Sequence, residues 1–229
     1  MRIRLLPLLV AAALTVLGTS VGCSKDTSTE AAPVAQSAAF PQTARYMADA
    51  VSADGAAMAI GISVDGDSVA AYACNGTDDE AWFLGNQADG AIDLTSRMRD
   101  TLTADYDGTA VTGVVTMNGV AHPFTADAVS GLAGMYTAEA GGARSSWVVR
   151  PDGSATGVQF SGFSQGDRDR NFDPFDLDGL TDFQVRHDVR TKRKLGPAGP
   201  IEFPDGRPQA SINGRPVTPI LVTGTFRLP

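Results

Sequence analysis

Hydrophobic residues alternate with small or polar residues along much of the chain from residue 57 onward, and alternation of this kind is typical of β-strands. The first such run has apolar residues at every second position: Met58, Ile60, Ile62 and Val64. After a turn at Asp65-Gly66, the segment Ser68 to Asn75 has apolar residues at consecutive positions, so that both faces of a strand there would be apolar. The two segments therefore predict a β-hairpin whose second strand is buried on both faces.

Asp-Gly and Asn-Gly dipeptides, which tolerate the positive φ of tight hairpin turns, recur along the chain. They begin at Asn75, Asp89, Asp107, Asn118, Asp152, Asp178, Asp205 and Asn213. Further short strands are predicted at 81–84, 91–94, 101–104, 111–117, 120–126, 135–138, 146–150 and 156–160. This spacing predicts an all-β fold, either an antiparallel β-sandwich or a small up-and-down barrel, in a single β-rich domain over residues 43–229.

Other parts of this domain have weaker patterns. Residues 44–51 have a helical apolar face but are too short to predict a helix. Residues 183–189 and 220–228 alternate as strands do, and the Pro-rich segment 195–219 between them is expected to be irregular. Residues 164–182 are predicted to form an acidic loop.

The first 22 residues have the organisation of a signal peptide. Arg2 and Arg4 precede an apolar run from Leu5 to Leu17, which is shorter than the roughly 20 residues of a bilayer-spanning helix. Small residues follow the run, and Ser20-Val21-Gly22-Cys23 ends it. Residues 1–22 are therefore predicted to be removed on export.

The Ser20-Val21-Gly22-Cys23 sequence resembles the lipobox of secreted bacterial lipoproteins, most closely those of actinobacteria. The resemblance implies cleavage before Cys23 and attachment of diacylglycerol, and then palmitate, to that residue. It also implies a location at the outer face of the cell membrane. Ser20 departs from the family, which usually has Leu there, so that ordinary signal-peptide cleavage and a secreted soluble protein stay open as the alternative.

A flexible tether is predicted from Cys23 to residue 42, because this Ser/Thr/Ala/Pro-rich stretch has little apolar surface to bury. If Cys23 carries lipid, Cys74 is left as a small buried hydrophobic residue. If Cys23 is free, the two cysteines could pair in an oxidising compartment. Both outcomes are compatible with the sequence.

Composition excludes several classes of function. The chain has 18 basic and 26 acidic residues, and its net charge of −8 argues against nucleic-acid binding. Loss of residues 1–22 removes two arginines and no acid, which leaves −10. With 2 cysteines the chain has neither a disulfide framework nor a zinc-cysteine site, and no cofactor is predicted.

One string resembles a catalytic motif. Gly162-Phe163-Ser164-Gln165-Gly166 matches the nucleophile elbow of serine hydrolases, and His187 follows it. An elbow joins a strand to a helix, whereas the residues after Ser164 contain a proline and no helical apolar spacing. The sequence therefore favours a loop serine, and the chain is predicted not to be an enzyme.

Metal sites have weak support. Calcium could be held by oxygens in the acidic loop: Asp167, Asp169, Asn171, Asp173, Asp176 and Asp178. An EF-hand would need Gly in place of Phe172 and Glu in place of Asp178, so that a solvated loop is favoured. His122, which precedes Pro123 in an expected edge strand, and His187 have no ligand partners at metal-binding spacing.

Charge is unevenly distributed, with a balance of +4 in residues 180–229 and −14 in residues 23–179. Five bases cluster in the positive part: Arg186, Arg190, Lys192, Arg193 and Lys194. They form a candidate site for an anionic component of the cell envelope, against the plainer alternative that they face solvent or the acidic loop.

Trp82 and Trp147 are expected to anchor the β-core, although a barrel could also enclose an apolar ligand. The stretches AYACNGTDDEAWFLGN and TGVVTMNGVAHPFTA resemble a β-rich segment of exported actinobacterial proteins, which implies an exported β-domain and no site residues. The predicted function is non-enzymatic binding or structural support at the cell envelope. Carriage of an apolar small molecule in a barrel is the main alternative, and hydrolysis by Ser164 is a more remote one.

Overall fold

The computed structural model describes residues 37–164 and 177–228. Eight strands each pair antiparallel with the next, and β1 also pairs with β8, which closes an up-and-down barrel. The strands are β1 Thr43–Val51, β2 Ala57–Asp65, β3 Ser68–Cys74, β4 Glu80–Ala88, β5 Ala91–Thr95, β6 Thr101–Tyr106, β7 Ala110–Met117 and β8 Val120–Ala128. The predicted all-β class is confirmed.

The remaining strands form two further sheets. A five-stranded sheet has the order β12-β11-β10-β9-β16, and a three-stranded sheet has the order β13-β14-β15. The strands are β9 Gly134–Ala140, β10 Ala143–Val149, β11 Ala155–Phe163, β12 Arg193–Pro197, β13 Ile201–Glu202, β14 Gln209–Ile212, β15 Arg215–Val217 and β16 Ile220–Leu221. The helical segments are α1 Asp182–Gln184, a π-helical turn Val185–Val189, and 3-10 turns Arg190–Lys192 and Pro204–Gly206.

Several of the predicted Asp-Gly and Asn-Gly dipeptides form tight turns between paired strands. Asp89 and Gly90, between β4 and β5, have φ of 51° and 81°, and Asn118 and Gly119, between β7 and β8, have φ of 49° and 83°. Two consecutive positive φ values make a tight turn whose twist matches that of the flanking strands. These local dipeptides therefore place the strand pairs directly.

The barrel interior contains a continuous cluster of buried apolar side chains from all eight strands, including Ile60, Phe83, Leu102 and Val115. His122 also lies buried on β8, at 2% exposure. The expectation that Pro123 marks an edge strand is wrong, because β8 pairs with β7 and, at Asp127 and Ala128, with β1.

The five-stranded sheet covers the outer face of β2 to β4, so that the domain has three layers. Tyr72 and Cys74 on β3 pack with Met135 and Val148 of that sheet, while the opposite parity of β3 faces the barrel interior. Burial on both faces of β3 confirms the prediction from its apolar run. Trp147 is 1% exposed on the far face of the sheet, where it contacts the three-stranded sheet.

The structure corrects three expectations for the C-terminal part. Residues 183–189 are helical and not a strand, because Thr181 and Gln184 form a capping box, and the buried Val185 and Val189 lie four apart, a spacing that also suits a helix. Segment 195–219 contains strands and packs on Trp147 through Ile201 and Ile212. In residues 220–228 only Ile220–Leu221 form a strand.

The first described residues pack against the barrel or form part of it. Residues 44–51 belong to β1. Within the predicted tether, the Ala38 N–H donates to Tyr106 O at 2.7 Å, and the Phe40 ring stacks on Tyr106 with centroids 4.7 Å apart. The end of the tether thus packs on the barrel, while residues 1–36 lie outside the described part of the chain. Among the described helices, none has the length and apolar character needed to cross a bilayer.

Candidate functional site

A cleft of about 430 Å³ lies outside the barrel, between β4, the β5–β6 connection, the five-stranded sheet and the C-terminal residues. We call it the arginine cleft. Its charged side chains are Glu80, Arg97, Arg144, Arg193 and Arg227, and its larger apolar ones are Trp82, Leu84, Met98, Phe160, Phe163 and Leu228. Four arginines facing one glutamate make it a positively charged site in a protein of net charge −8.

Outward-facing side chains of β4 form one wall of the arginine cleft. Phe83 faces the barrel interior, so that its neighbours of opposite parity on β4, Trp82 and Leu84, face outward. Trp82 contacts Tyr72 and Phe226, with ring centroids 4.7 and 5.1 Å apart. The wall is therefore held rigidly by aromatic packing.

The opposite wall of the arginine cleft includes residues of β11, where a β-bulge changes the direction of the side chains. The register between β11 and β12 shifts between Phe160 and Phe163, and Gly162 has a φ of 90°. Residues three apart on a regular strand face opposite sides, whereas the bulge lets both phenylalanines line the cleft. Their rings meet edge to face at 5.3 Å.

Glu80 is the acidic member of the cleft and is 3% exposed. Its Oε1 accepts a hydrogen bond from Arg144 Nη2 at 2.8 Å, and its Oε2 accepts one from the Tyr72 hydroxyl at 2.9 Å. Burial, together with nearby Cys74 and Glu80, raises the pKa of Tyr72 well above its usual value, so that this hydroxyl stays a donor. The Arg144 guanidinium also lies 5.4 Å from the Phe160 ring centroid.

Behind the cleft lies a buried ion-pair network. Arg190 Nη1 contacts both oxygens of Asp100 at 2.6 Å, and its Nη2 contacts the two oxygens of Asp79 at 2.6 and 2.7 Å. Arg193 Nη2 shares Asp79 at 3.0 Å. Burial opposes the charge on Arg190, but Asp100 and Asp79 outweigh it and raise its pKa. Burial and Arg190 lower the pKa of Arg193.

The five clustered bases therefore have different environments. Arg190 is buried and paired with acids, so that it cannot contribute to the candidate surface site for an anionic partner. Arg193 lines the arginine cleft, and Arg186 donates to Arg99 O at 3.2 Å. Lys194 is exposed and Lys192 is partly exposed. The structure thus separates the bases that the sequence placed together.

Ser164 and His187 have separate local partners. The Ser164 N–H donates to Lys192 O at 2.7 Å. The His187 ring stacks on Phe183 at 4.1 Å, and its Nδ1 lies 3.1 Å from Phe183 O. Within residues 37–164 and 177–228, no group of three or more His, Cys, Asp or Glu side chains is arranged to hold a metal ion.

Several predicted sites lie outside the described residues. Cys23 and the lipobox are among them, as are Asp167, Asp169, Asn171, Asp173 and Asp176 of the candidate calcium loop. Asp178 of that loop is described and exposed. Cys74 is fully buried, as expected for a small hydrophobic residue, and burial raises the pKa of its thiol to about 12.

Sequence reasoning did not find the arginine cleft. Trp82 was expected to anchor the core, with an apolar cavity inside the barrel as the alternative, and Arg97, Arg144 and Arg227 lie in widely separated segments. Strand alternation around Trp82 would have placed it on one face with Glu80 and Leu84. No local signal links that face to an arginine near the end of the chain.

Comparison of this chain with protein-family models, with curated proteins and with solved structures yields no match.

Proposed function

We propose that this protein is an extracytoplasmic lipoprotein, held at the cell membrane by lipid on Cys23, whose β-domain binds a small anionic ligand without catalysing a reaction. The observation that supports the binding role is the arginine cleft, a cavity of about 430 Å³ with four arginines and one glutamate in its lining. Small-molecule sites typically measure roughly 300–1,000 Å³ and combine apolar walls with a few convergent polar groups. The cleft has both properties.

The charge of the cleft favours an anionic ligand. Glu80 and Asp79 are already paired with Arg144, Arg190 and Arg193. Arg227 donates only to backbone carbonyls, those of Gly224 and Phe226, among the hydrogen bonds that the described residues make. These carbonyl oxygens carry no formal negative charge, so that an anionic ligand would be a counterion for the Arg227 guanidinium.

Carriage of an apolar molecule inside the barrel has less support. The interior is occupied by the apolar side chains of all eight strands, whereas the cleft lies outside the barrel. We therefore place the ligand in the arginine cleft. A hydrolytic role for Ser164 gains no support from its observed backbone contact with Lys192.

The anchoring part of the proposal is tested with Cys23→Ala. We expect the wild-type protein to enter the detergent phase in detergent phase separation, because two acyl chains give stable membrane attachment. Cys23→Ala should remain in the aqueous phase, whereas Cys74→Ala, the matched control in the buried core, should partition like wild type. Equal partitioning of Cys23→Ala and wild type would show that no lipid is attached there.

The binding part is tested by thermal shift with a panel of small organic carboxylates, phosphates and sulfates. Ligands that bind only the folded state raise the melting temperature. We expect some anions to raise that of wild type but not that of Leu84→Glu, whose added carboxylate would lie on the partly exposed wall of the cleft and repel them. Their cationic analogues should have no effect. Failure of every anion to stabilise the wild-type protein would contradict the proposal.

A further inference from the structure

Among the described residues, Trp82 and Arg144 both line the arginine cleft and each has a buried hydrogen-bond donor without a partner. Trp82 is 6% exposed, and its indole Nε1 is buried without an acceptor. Arg144 Nε is also buried without an acceptor, although Arg144 Nη2 donates a hydrogen bond to Glu80. An unpaired buried donor is destabilising, so that such groups in native proteins usually meet an acceptor from the protein, a ligand or water. Since both groups are N–H donors, a ligand that satisfies them must supply hydrogen-bond acceptors.

Most of the other large side chains that line the cleft are apolar. Leu84, Met98, Phe160, Phe163 and Leu228 line it. A fully hydrated anion such as inorganic phosphate would leave this surface unused, whereas an apolar chain would gain free energy by burying it. The lining thus has a polar side with hydrogen-bond donors and an apolar side that a hydrocarbon chain could cover.

We propose that the arginine cleft binds an anionic amphiphile: a molecule with one phosphate or carboxylate head group and a single apolar chain. The head group accepts hydrogen bonds from the arginines and from the Trp82 indole, and the chain lies along Phe160, Phe163 and Leu84. This inference rests on the proposed binding function and specifies its ligand class. A membrane lipid and a free fatty acid share this chemistry, and the probes below separate them by head group.

The test uses the full chain with Cys23 changed to alanine, and calorimetric titration with decyl phosphate below its micelle concentration. Decanoate, inorganic phosphate and decyltrimethylammonium are the comparison probes. We expect decyl phosphate or decanoate to bind at least about tenfold more tightly than the other two. A preference between the two anions indicates which source of amphiphile the cleft accepts.

Variants locate the site. Trp82→Phe keeps an aromatic ring but removes the indole N–H, and Arg227→Met removes one charge; each should weaken binding about tenfold. The exposed Arg207, changed to Met, is the matched control and should leave the affinity unchanged. In Trp147→Phe protein Trp82 is the single tryptophan, and its indole N–H resonance should move downfield when decyl phosphate binds.

The outcomes separate this inference from the proposed function. If inorganic phosphate binds as tightly as decyl phosphate and both are weakened by Arg227→Met, the alkyl chain adds no affinity, so that the amphiphile inference fails while anion binding in the cleft stands. If decyltrimethylammonium binds as well as decyl phosphate, the head group is not recognised and the inference fails. If Trp82→Phe and Arg227→Met both bind every probe like wild type, neither the inference nor the proposed site is correct.

Discussion

Arg190→Ala should lower the free energy of unfolding by about 3–5 kcal/mol, because it leaves the buried Asp100 carboxylate without its counterion. The side chains of Arg190 and Asp100 are 6% and 1% exposed, and both oxygens of Asp100 contact Arg190. The same substitution frees Asp79, which then retains only Arg193. Chemical denaturation followed by circular dichroism measures the change.

The matched control is Arg207→Ala, since Arg207 is an exposed arginine and surface substitutions usually change stability by less than about 0.5 kcal/mol. A loss below about 1 kcal/mol in Arg190→Ala would mean that water or rearrangement satisfies the two carboxylates. It would also mean that the segment carrying Arg190 is not held against the barrel by this network.

Trp147→Ala should also cost about 3–5 kcal/mol, the usual range for removing a buried large aromatic side chain. Trp147 is 1% exposed between the five-stranded and three-stranded sheets, and its Nε1 donates to Gly199 O at 2.8 Å. Its loss should loosen the three-stranded sheet in particular. Hydrogen exchange should therefore accelerate at Gln209–Ile212 more than at the barrel strands.

Trp147→Phe separates packing from hydrogen bonding. The phenyl ring retains most of the apolar contact with Ile201 and Ile212 but removes the donor to Gly199, so that the expected cost is about 1–2 kcal/mol. Equal acceleration of exchange throughout the chain in Trp147→Ala would contradict the idea that the three-stranded sheet depends locally on this side chain.

The contrast between the two tryptophans shows how far sequence reasoning reached. Both were expected to anchor the core, and both are buried at 1% and 6% exposure for Trp147 and Trp82. Trp82, however, also lines a cleft whose other walls come from β11, β12 and the end of the chain. Its role depends on neighbours that a sequence pattern around Trp82 does not contain.

The clustered bases show the same limit. Their proximity along the chain suggested one charged surface, yet Arg190 pairs with Asp100 and Asp79, 90 and 111 residues earlier in the sequence. A helical segment turns successive residues to different sides, so that neighbours in sequence reach different surroundings. In the strand predicted at 183–189, Arg186 would instead have alternated with the apolar residues Val185 and Val189.

The sequence by itself determined strands β2 to β11, several of the turns between them and the double-sided burial of β3, because alternation and Asp-Gly or Asn-Gly turns act over a few residues. It also led us to predict export and lipid attachment from the first 23 residues. Closure of β1 on β8, the covering sheets and the arginine cleft were decided only by the tertiary structure. They depend on contacts between distant segments, whose selection reflects the packing of the whole domain and not any local pattern.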